Sequence, residues 1–292
     1  MANKILITGA TGNIGAEVVR LLSVRSVPVR ALVRNRAKAK AIEQPNVEIA
    51  EGDMDKPWTL EAAMSGVDKV FLVSSPDPRQ AELQANVIDA AKQAGARHIV
   101  KLSAMGAALD GLSVFQKWHA ETEQYLAQSG VPFTLLQPNS FMQNALSFAP
   151  TIAKDGKFYG SMKDGKVSFV DLRDVAAVAA NTLADPGHEG KTYVITGPEA
   201  LSFADMARKL SAALGKPVTY VDLPREALVQ AMMGVGMPEL VAQGIAGLYE
   251  WGSQGKQAVL TDVVAKVGKK TPITFDQFAR ESATAFQSAA TA

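Results

Sequence analysis

The chain has 292 residues, of which 47% are hydrophobic and 20% charged, and its formal net charge is +1. This balance excludes a strongly basic surface, so we expect no nucleic-acid partner. The chain has no cysteine, which excludes disulfides, thiol catalysis and Cys-ligated metal. Its histidines, at 98, 119 and 188, lack metal-ligand spacing, and we predict no metal site. With no basic segment before an apolar one and no apolar run of membrane-spanning length, we expect no membrane contact and a cytoplasmic enzyme.

Strand and helix signals alternate through the first half of the chain. Apolar, β-branched runs predict strands at 4–8, 29–33, 47–50, 69–73, 98–102 and 133–136. Helical spacing predicts helices at 15–22, 36–42, 59–64, 79–94 and 114–128. This alternation predicts an α/β fold with a Rossmann-type, doubly wound parallel sheet, whose ligands bind along the carboxyl ends of the strands.

The pattern changes after Pro138. Helices are predicted at 139–149, 171–184, 203–214, 225–233, 238–252 and 275–286, and short strands at 157–159, 167–170 and 192–196. We therefore predict an NAD(P)-binding Rossmann domain over residues 1–150. A smaller, mostly helical substrate lobe is predicted over residues 151–292, with some segments returning to the sheet and a cleft between the two parts.

A glycine-rich turn joins the first predicted strand to the first helix. Its three glycines, at 9, 12 and 15, are spaced for a tight turn, a close approach of backbone amides to phosphate, and close helix packing. The following helix start offers unpaired N–H groups to an anion. The predicted cofactor contacts of this segment are Thr8, Gly9, Thr11, Gly12, Asn13, Ile14 and Gly15. An ordinary glycine-rich turn is the alternative.

The end of the second predicted strand indicates the cofactor. NAD sites place an Asp or Glu here for the ribose hydroxyls, but this segment has no carboxylate and three cations. Guanidinium groups suit a 2′-phosphate, so we predict NADP(H) in preference to NAD(H). Arg34 is the expected main contact, with Arg36 and Lys38 as further contacts. A solvated basic helix start is the alternative.

Further cofactor contacts are predicted after the third and fourth strands. Asp53, followed by Met54, stands at a strand end where it can accept a hydrogen bond from the adenine amino group; capping a turn is its alternative role. Val73, Ser74 and Ser75 end the fourth strand, and their small side chains suit a close approach to the dinucleotide.

These segments, together with Phe133-Thr134-Leu135-Leu136-Gln137-Pro138-Asn139-Ser140-Phe141-Met142-Gln143-Asn144 and Tyr193-Val194-Ile195-Thr196-Gly197-Pro198, resemble the NmrA-like group of atypical short-chain dehydrogenases/reductases. The resemblance extends over nearly the whole chain. It implies either an NADPH-dependent reductase of quinones, azo dyes, triphenylmethane dyes or plant phenolics, or a redox-sensing regulator that binds the dinucleotide without turnover.

The same resemblance bears on catalysis. The wider superfamily uses a Tyr-x-x-x-Lys pair on the helix after the fifth strand, with a serine at the end of that strand. Ser103 matches the serine, but Phe115 and His119 stand at the tyrosine and lysine positions. A phenyl ring cannot donate a proton, which argues against an alcohol dehydrogenase or an epimerase. Acceptors whose reduced form is delocalised or neutral need orientation more than an acid, so we expect a conjugated, electron-poor acceptor.

His119 and Ser103 are the candidate catalytic residues and also candidate cofactor contacts. His119 could hydrogen-bond the nicotinamide ribose or protonate the product, and a helix histidine satisfied by a neighbour is the alternative. The nicotinamide end of the site is expected to be lined by Pro138, Asn139, Ser140 and Phe141.

The acceptor pocket is predicted to use adaptable thioethers and aromatic rings beside flexible glycines. Its predicted residues are Phe141, Met142, Met232, Met233, Met237 and Trp251. A role in the hydrophobic core is the alternative for Phe141 and for the methionines.

The sequence thus favours an NAD(P)H-dependent reductase of a small conjugated acceptor, acting as a monomer or homodimer. Two alternatives stay open: a sensor without turnover, and a reductase of an activated C=C or C=N bond with His119 as the acid.

Overall fold

Seven parallel strands form the central sheet of this computed structural model, which describes residues 4–288. The strands of this part of the chain are β1 (Lys4–Ile7), β2 (Val29–Val33), β3 (Val47–Glu51), β4 (Val67–Leu72), β5 (His98–Leu102), β6 (Phe133–Pro138), β7 (Lys157–Gly160), β8 (Lys166–Val167), β9 (Thr192–Ile195), β10 (Leu201–Ser202) and β11 (Thr219–Asp222). The central sheet has the order β3-β2-β1-β4-β5-β6-β9. Every residue of β2 and β5 is buried, as expected for strands covered on both faces. The predicted Rossmann-type fold is confirmed.

The helices within residues 4–288 fall into two groups: some cover the two faces of this sheet, and the others pack together beside it. The helices are α1 (Asn13–Val24), α2 (Leu60–Met64), α3 (Gln80–Gln93), α4 (Val114–Gln128), α5 (Ala149–Asp155), α6 (Leu172–Ala184), α7 (Phe203–Leu214), α8 (Arg225–Gly234), α9 (Glu239–Ser253), α10 (Val263–Lys266), α11 (Phe275–Glu281) and α12 (Ala283–Ser288). On one face α1 packs against α6, and on the other α3 packs against α4. Side chains of β1 alternate between these two cores: Ile5 and Ile7 face α1, and Leu6 faces the opposite core.

Part of the second half of the chain completes the sheet. β9 pairs in parallel with β6, and Val175 and Val178 of α6 lie in the same core as α1. The rest forms a separate aromatic core around Phe158, Phe203 and Phe275. Two small sheets border this core, one pairing β8 with β10 and the other pairing β7 with β11. The second half therefore both closes the sheet and builds a smaller body beside it.

The helix predicted at 36–42 is wrong. The chain forms two short 3-10 turns instead, Arg36–Lys38 and Lys40–Ile42. The side chain of Asn35 accepts the N–H of Ala37 and starts the first turn, and Glu43 returns to extended backbone. Three basic residues near the start of such a segment oppose a helix dipole, so nothing favours extending it into a full helix.

The helix predicted at 139–149 begins late. Residues up to Phe141 stay extended because Ser140 accepts the N–H of Val170, and Met142 donates its N–H to the carbonyl of Val170. A 3-10 segment, Met142–Phe148, follows and leads into α5, which the sequence pattern missed. The predicted strand at 167–170 is correspondingly short as a regular strand, since only Lys166–Val167 pairs with β10. The helix predicted at 275–286 is divided at Ser282 into α11 and α12.

Between residues 4 and 288 no helix combines the length and the apolar character needed to cross a membrane. The same residues contain no group of three or more His, Asp or Glu side chains arranged to hold a metal ion.

Candidate active site

The strand order reverses between β1 and β4: β2 and β3 extend the sheet on one side of β1, and β4, β5 and β6 extend it on the other. In open α/β sheets ligands bind at such a switch point, outside the carboxyl ends of the strands. Thr8 lies there and is completely buried. Its Oγ1 donates to the carbonyl of Val73 at 2.7 Å and accepts the Val73 N–H at 2.8 Å. The Thr8 hydroxyl therefore holds β1 and β4 together and is not free for a ligand.

The glycine turn that follows β1 is tightly packed. Gly9 has a φ of 54°, in the left-handed region that favours glycine. A Cβ added to Gly15 would lie 2.2 Å from the carbonyl oxygen of Gly9, which is far inside contact distance. Only glycine at position 15 lets α1 start this close to the turn.

The start of α1 offers backbone donors to an anion. Gly12 is the N-cap residue, and in the described part of the chain no side chain caps the first turn. Thr11, Gly12 and Asn13 are exposed, whereas Ile14 is buried in the core. Free N–H groups at a helix N-terminus can donate hydrogen bonds to a pyrophosphate, and the glycines of the preceding turn let the phosphates come close to the backbone. The residues present here thus suit a dinucleotide cofactor.

The three cations after β2 differ in their contacts. Arg36 is engaged with β3: its Nη1 donates to the carbonyl of Ile49 at 3.2 Å, and its backbone N–H donates to Glu51. Arg34 and Lys38 are exposed, and within residues 4–288 their side chains form no hydrogen bond or ion pair. Arg34 therefore has a free guanidinium at the predicted adenosine end of the site.

The carboxylate of Asp53 caps a turn. Its Oδ1 accepts the N–H of Asp55 at 3.1 Å, while the Asp53 N–H is bonded to Thr59. Met54 is half-buried, and its carbonyl accepts from Asn86 at 2.8 Å. Asp53 therefore caps a turn, which is the alternative that its sequence context allowed. Its contact with adenine stays a prediction.

After β4 the chain passes beside the glycine turn. A Cβ on Gly9 would lie 3.0 Å from the carbonyl oxygen of Val73. Ser74 accepts a hydrogen bond from the amide of Gln84 at 2.8 Å, and Ser75 is exposed. These residues lie at the switch point, and their contact with the cofactor stays a prediction.

Ser103 lies directly after β5 and is almost fully buried. Its hydroxyl donates to Glu123 of α4, and the amide of Gln137 donates to the same carboxylate oxygen at 2.9 Å. Because its proton is committed to Glu123, the Ser103 oxygen can only accept a hydrogen bond from a ligand.

His119 is half-buried on α4, and its Nδ1 faces two nitrogen donors. Lys101 Nζ lies at 3.1 Å and Gln80 Nε2 at 3.3 Å. Burial first, and the nearby Lys101 second, hold the pKa of His119 well below its usual 6.5. The imidazole is therefore neutral at neutral pH.

Residues at the end of β6 have mainly structural contacts. The buried amide of Asn139 donates to Ser168 Oγ at 2.7 Å and to the carbonyl of Gln257 at 2.8 Å, which ties β6 to the smaller body. Pro138 is buried, Ser140 is half-buried, and Phe141 packs on the core around α1. Lining of the nicotinamide end by these four residues stays a prediction.

The predicted pocket residues fall into two groups. Met142 is fully buried in the aromatic core of the smaller body, so its side chain does not face an open pocket. Met232, Met233 and Met237 are half-buried and pack on Val229, Ala242 and Ala246 between α8 and α9. Trp251 covers the loop after β5, since a Cβ on Gly106 would lie 2.4 Å from its ring. The structure thus separates Met142 from the methionines of α8.

Three residues around His119 and Ser103 are not predicted from the sequence: Lys101, Gln80 and Glu123. A lysine inside the otherwise apolar strand His98–Leu102 is the signal that could have identified Lys101, because an unpaired buried lysine is rare. Gln80 and Glu123 gave no such signal, because their contacts depend on how α3 and α4 pack.

The fold and the glycine turn define a nucleotide-binding α/β protein, and comparison with known proteins narrows the class. Residues 1–279 match the model of the NmrA-like family. The chain is 45% identical to an NAD(P)H azoreductase of Xenophilus azovorans over 98% of this chain and 100% of that one. The chain therefore belongs to the NmrA-like family.

Solved structures show the same relationship. An NADPH complex of the quinone oxidoreductase QOR2 from Escherichia coli superposes with a TM-score of 0.89 at 33% identity, over 95% of this chain and 99% of that one. A Citrobacter sp. triphenylmethane reductase complexed with NADP(H) gives 0.86 at 27% identity, over 96% and 99%. The predicted NAD(P)H-dependent oxidoreductase is confirmed.

Proposed function

We propose that this protein is an NADPH-dependent reductase that transfers hydride to conjugated, electron-poor acceptors such as quinones and azo or triarylmethane dyes. The observation that carries the proposal is the neutral imidazole of His119 on α4, whose Nδ1 faces Lys101 and Gln80. Phe115, at the superfamily tyrosine position, packs under α9, where a Cβ on Gly244 would lie 3.0 Å from its ring. Relatives that reduce azo dyes, quinones and triphenylmethane dyes support this acceptor class.

Selectivity for NADPH rests on Arg34. Its guanidinium is exposed and free of partners within the described residues, and planar guanidinium groups bind phosphate in a bidentate manner. The carboxylate at this edge, Glu51, accepts the backbone N–H of Arg36. Arg36 and Lys38 add positive charge around the proposed 2′-phosphate position.

The residues of the chain have distinct roles in the proposed reaction. When bound, the reduced nicotinamide supplies the hydride. The amides of Asn13 and Ile14 at the start of α1 would bind the pyrophosphate, since the Gly12 N–H already donates to the carbonyl of Gly9. The neutral ring of His119 would donate its Nε2–H to the negative charge that develops on the acceptor, and the smaller body would exclude water and orient a flat substrate. We assign this substrate lobe to residues 151–292, apart from segments such as α6 and β9 that return to the sheet, beside a Rossmann domain at 1–150.

A cationic acid is disfavoured at this site. Reduction of a C=N or C=C bond with imidazolium as the acid needs a protonated His119 at neutral pH. Burial and Lys101 both lower the pKa of His119, so the hydrogen-bond donor Nε2–H fits the site better than a charged acid does.

A second candidate, a cofactor-sensing regulator without turnover, rests on one observation. At the tip between α8 and α9, the side chain of Val235 is 84% exposed and Leu240 is 44% exposed. Exposed apolar side chains at a tip are typical of partner contacts as well as of lids.

Measuring NADPH consumption distinguishes the reductase from the sensor. We expect purified protein to consume NADPH with para-quinones and azo dyes, and not with simple aliphatic ketones of similar size. A calorimetric titration with NADPH run in parallel shows whether the cofactor site is intact. Tight NADPH binding with no turnover on any conjugated acceptor contradicts the reductase and favours the sensor.

A further inference from the structure

A lysine is buried in the middle of the central sheet beside the proposed site. Lys101 lies on β5 and has no solvent-exposed surface. Burying an amine without a partner is strongly unfavourable, and a residue of an ordinary central strand would be apolar. Packing alone therefore does not explain why a lysine stands at position 101.

The contacts of Lys101 lead to His119. Its Nζ lies 3.1 Å from His119 Nδ1 and 3.4 Å from the carbonyl oxygen of Leu102. Glu123, one helical turn after His119 on α4, is the carboxylate whose charge acts on Lys101, and it is itself bonded to Ser103 and Gln137. The amine thus connects the core of the sheet to the one imidazole of α4.

These contacts select one tautomer of His119. Gln80 Nε2 is an amide donor and cannot accept a proton, and Lys101 Nζ carries protons in either charge state. With both donors directed at Nδ1, that nitrogen accepts, so the neutral ring carries its proton on Nε2. Within residues 4–288, Nε2 forms no hydrogen bond.

We propose that Lys101 is a positioning residue for His119: it holds Nδ1 as an acceptor, keeps the Nε2–H tautomer, and supplies the proton that replaces the one given to the reduced acceptor. This proposal rests on the proposed reductase function.

The proton transfer balances without a further reactant. After hydride transfer, the acceptor oxygen or nitrogen anion takes the proton from Nε2 of His119, breaking that N–H bond and forming an O–H or N–H bond on the product. In the same step Nδ1 takes a proton from the Lys101 ammonium, which becomes a neutral amine. The ring is neutral before and after, with its proton now on Nδ1. Return of the Nδ1 proton to Lys101 and uptake of a proton from water restore the starting state.

The acidity of Lys101 suits this role. Burial lowers its pKa to about 7, and Glu123 opposes the effect. The titratable groups that face the pair are Glu123 and the two partners themselves; Gln80 and Ser103 are neutral. An amine that titrates near neutral pH can both give up and regain a proton during turnover.

The tautomer can be measured on the native protein by nitrogen-15 NMR of its three histidines, each assigned with a His→Gln variant. We expect His119 to have an unprotonated Nδ1 and a protonated Nε2 near pH 7. A predominant Nδ1–H form overturns the proposal, whether or not the protein turns over any acceptor.

Two lysine variants separate positioning from general packing. Lys101→Met, which removes a buried amine and keeps an unbranched chain, is expected to raise the pKa of His119 and leave His98 and His188 unchanged. Lys69→Met is the matched control, since Lys69 also lies on a central strand, donates to the carbonyl of Leu183, and lowers the pKa of His98 and His188. It should shift those two and not His119. An unchanged His119 titration in Lys101→Met contradicts the proposal.

The pH profile of turnover tests the proton supply. With a quinone on which the native protein is active, kcat should fall as pH rises through the pKa of Lys101, near 7. In Lys101→Met this fall of kcat with pH should vanish, and kcat should drop about 10- to 100-fold at pH 6.5, with NADPH affinity retained. Lys101→Arg should restore the Nε2–H tautomer but not the fall of kcat with pH, because a guanidinium does not release its proton. A Lys101→Met profile that overlays the native one overturns the proposal, whereas a native protein without any turnover refutes the proposed function instead.

Discussion

The hydroxyl of Thr8 donates to the carbonyl of Val73 at 2.7 Å and accepts the N–H of the same residue at 2.8 Å. This pair of hydrogen bonds joins the carboxyl ends of β1 and β4, between which the strand order of the sheet reverses. It also places the carbonyl of Val73 against Gly9, so the geometry of the glycine turn depends on it. The Thr8 hydroxyl, predicted from the sequence to contact the cofactor, instead holds the two strands together.

Thr8→Val should destabilise the protein and weaken its affinity for NADPH. Valine keeps the shape but removes the hydroxyl that pairs with the N–H and the carbonyl of the half-buried Val73, which lowers the free energy of unfolding by about 1–3 kcal/mol. Urea unfolding and a calorimetric NADPH titration measure the two effects. Thr122→Val is the control, because the hydroxyl of this buried threonine bonds only the carbonyl one turn earlier in α4. Equal losses in both variants would argue against a special role for Thr8.

Gly15→Ala should abolish or greatly weaken NADPH binding. The added methyl group would lie 2.2 Å from the carbonyl oxygen of Gly9, so either α1 or the turn has to move. Overpacking of this kind costs about 1–3 kcal/mol in stability. In Gly234→Ala the methyl group meets nothing within 4 Å at the end of α8, so NADPH affinity should not change. NADPH binding by Gly15→Ala at native affinity would contradict the assignment of the pyrophosphate site.

Arg34→Ala should weaken the binding of NADPH about 10- to 100-fold and change NADH binding by less than about twofold, because only NADPH carries the 2′-phosphate. Dissociation constants for both cofactors, measured by fluorescence or calorimetry, give the ratio. Lys40→Ala removes an exposed cation from the next 3-10 turn and should alter neither affinity. Equal weakening of both cofactors by Arg34→Ala would show that Arg34 does not recognise the 2′-phosphate.

Stability should fall in mild acid because of His98. This histidine is buried at the start of β5 and bonds Thr134 at 2.9 Å, and its Nδ1 has no hydrogen-bond partner among residues 4–288. Burial lowers its pKa from 6.5 to about 4, more than Glu189 raises it. Between these values the unfolded chain binds a proton that the folded protein does not, so the free energy of unfolding falls as pH drops from 6.5 towards 4, by at most about 3 kcal/mol from this group.

His98→Gln should flatten this dependence, as measured by urea unfolding at several pH values. His188 is the control: it is only half-buried and bonds Tyr193 at 2.8 Å, so His188→Gln should retain most of the slope. An unchanged slope in His98→Gln would mean that other groups cause the acid sensitivity.

Local signals determined much of the fold. The helices at 114–128 and 203–214 were predicted at their observed ends, and each begins with a capping box, from Ser113 to Gln116 and from Ser202 to Asp205. The helix predicted at 36–42 is wrong because the turn that forms there depends on the side chain of Asn35 and on Glu51 of another strand. α5 was missed because it follows directly on an irregular 3-10 segment.

The glycine turn could be predicted from the sequence, but the residues that contact His119 could not. The glycine pattern acts over seven residues, so its geometry is local. The partners of His119 come from β5 and α3, 18 and 39 residues away, and meet only when the sheet and helices are packed. The same applies to Asn139, whose amide bonds Gln257 at a separation of 118 residues.

Hydride transfer from NADPH to a conjugated acceptor can be followed in a single-turnover experiment. The complex of the protein with NADPH is mixed with an equimolar para-quinone without oxygen, using either unlabelled NADPH or NADPH deuterated at the transferred position. We expect one NADPH to be oxidised for each quinone reduced, with a slower rate for the deuterated cofactor. NADPH that binds tightly and stays reduced in the presence of the quinone would contradict the proposed hydride transfer.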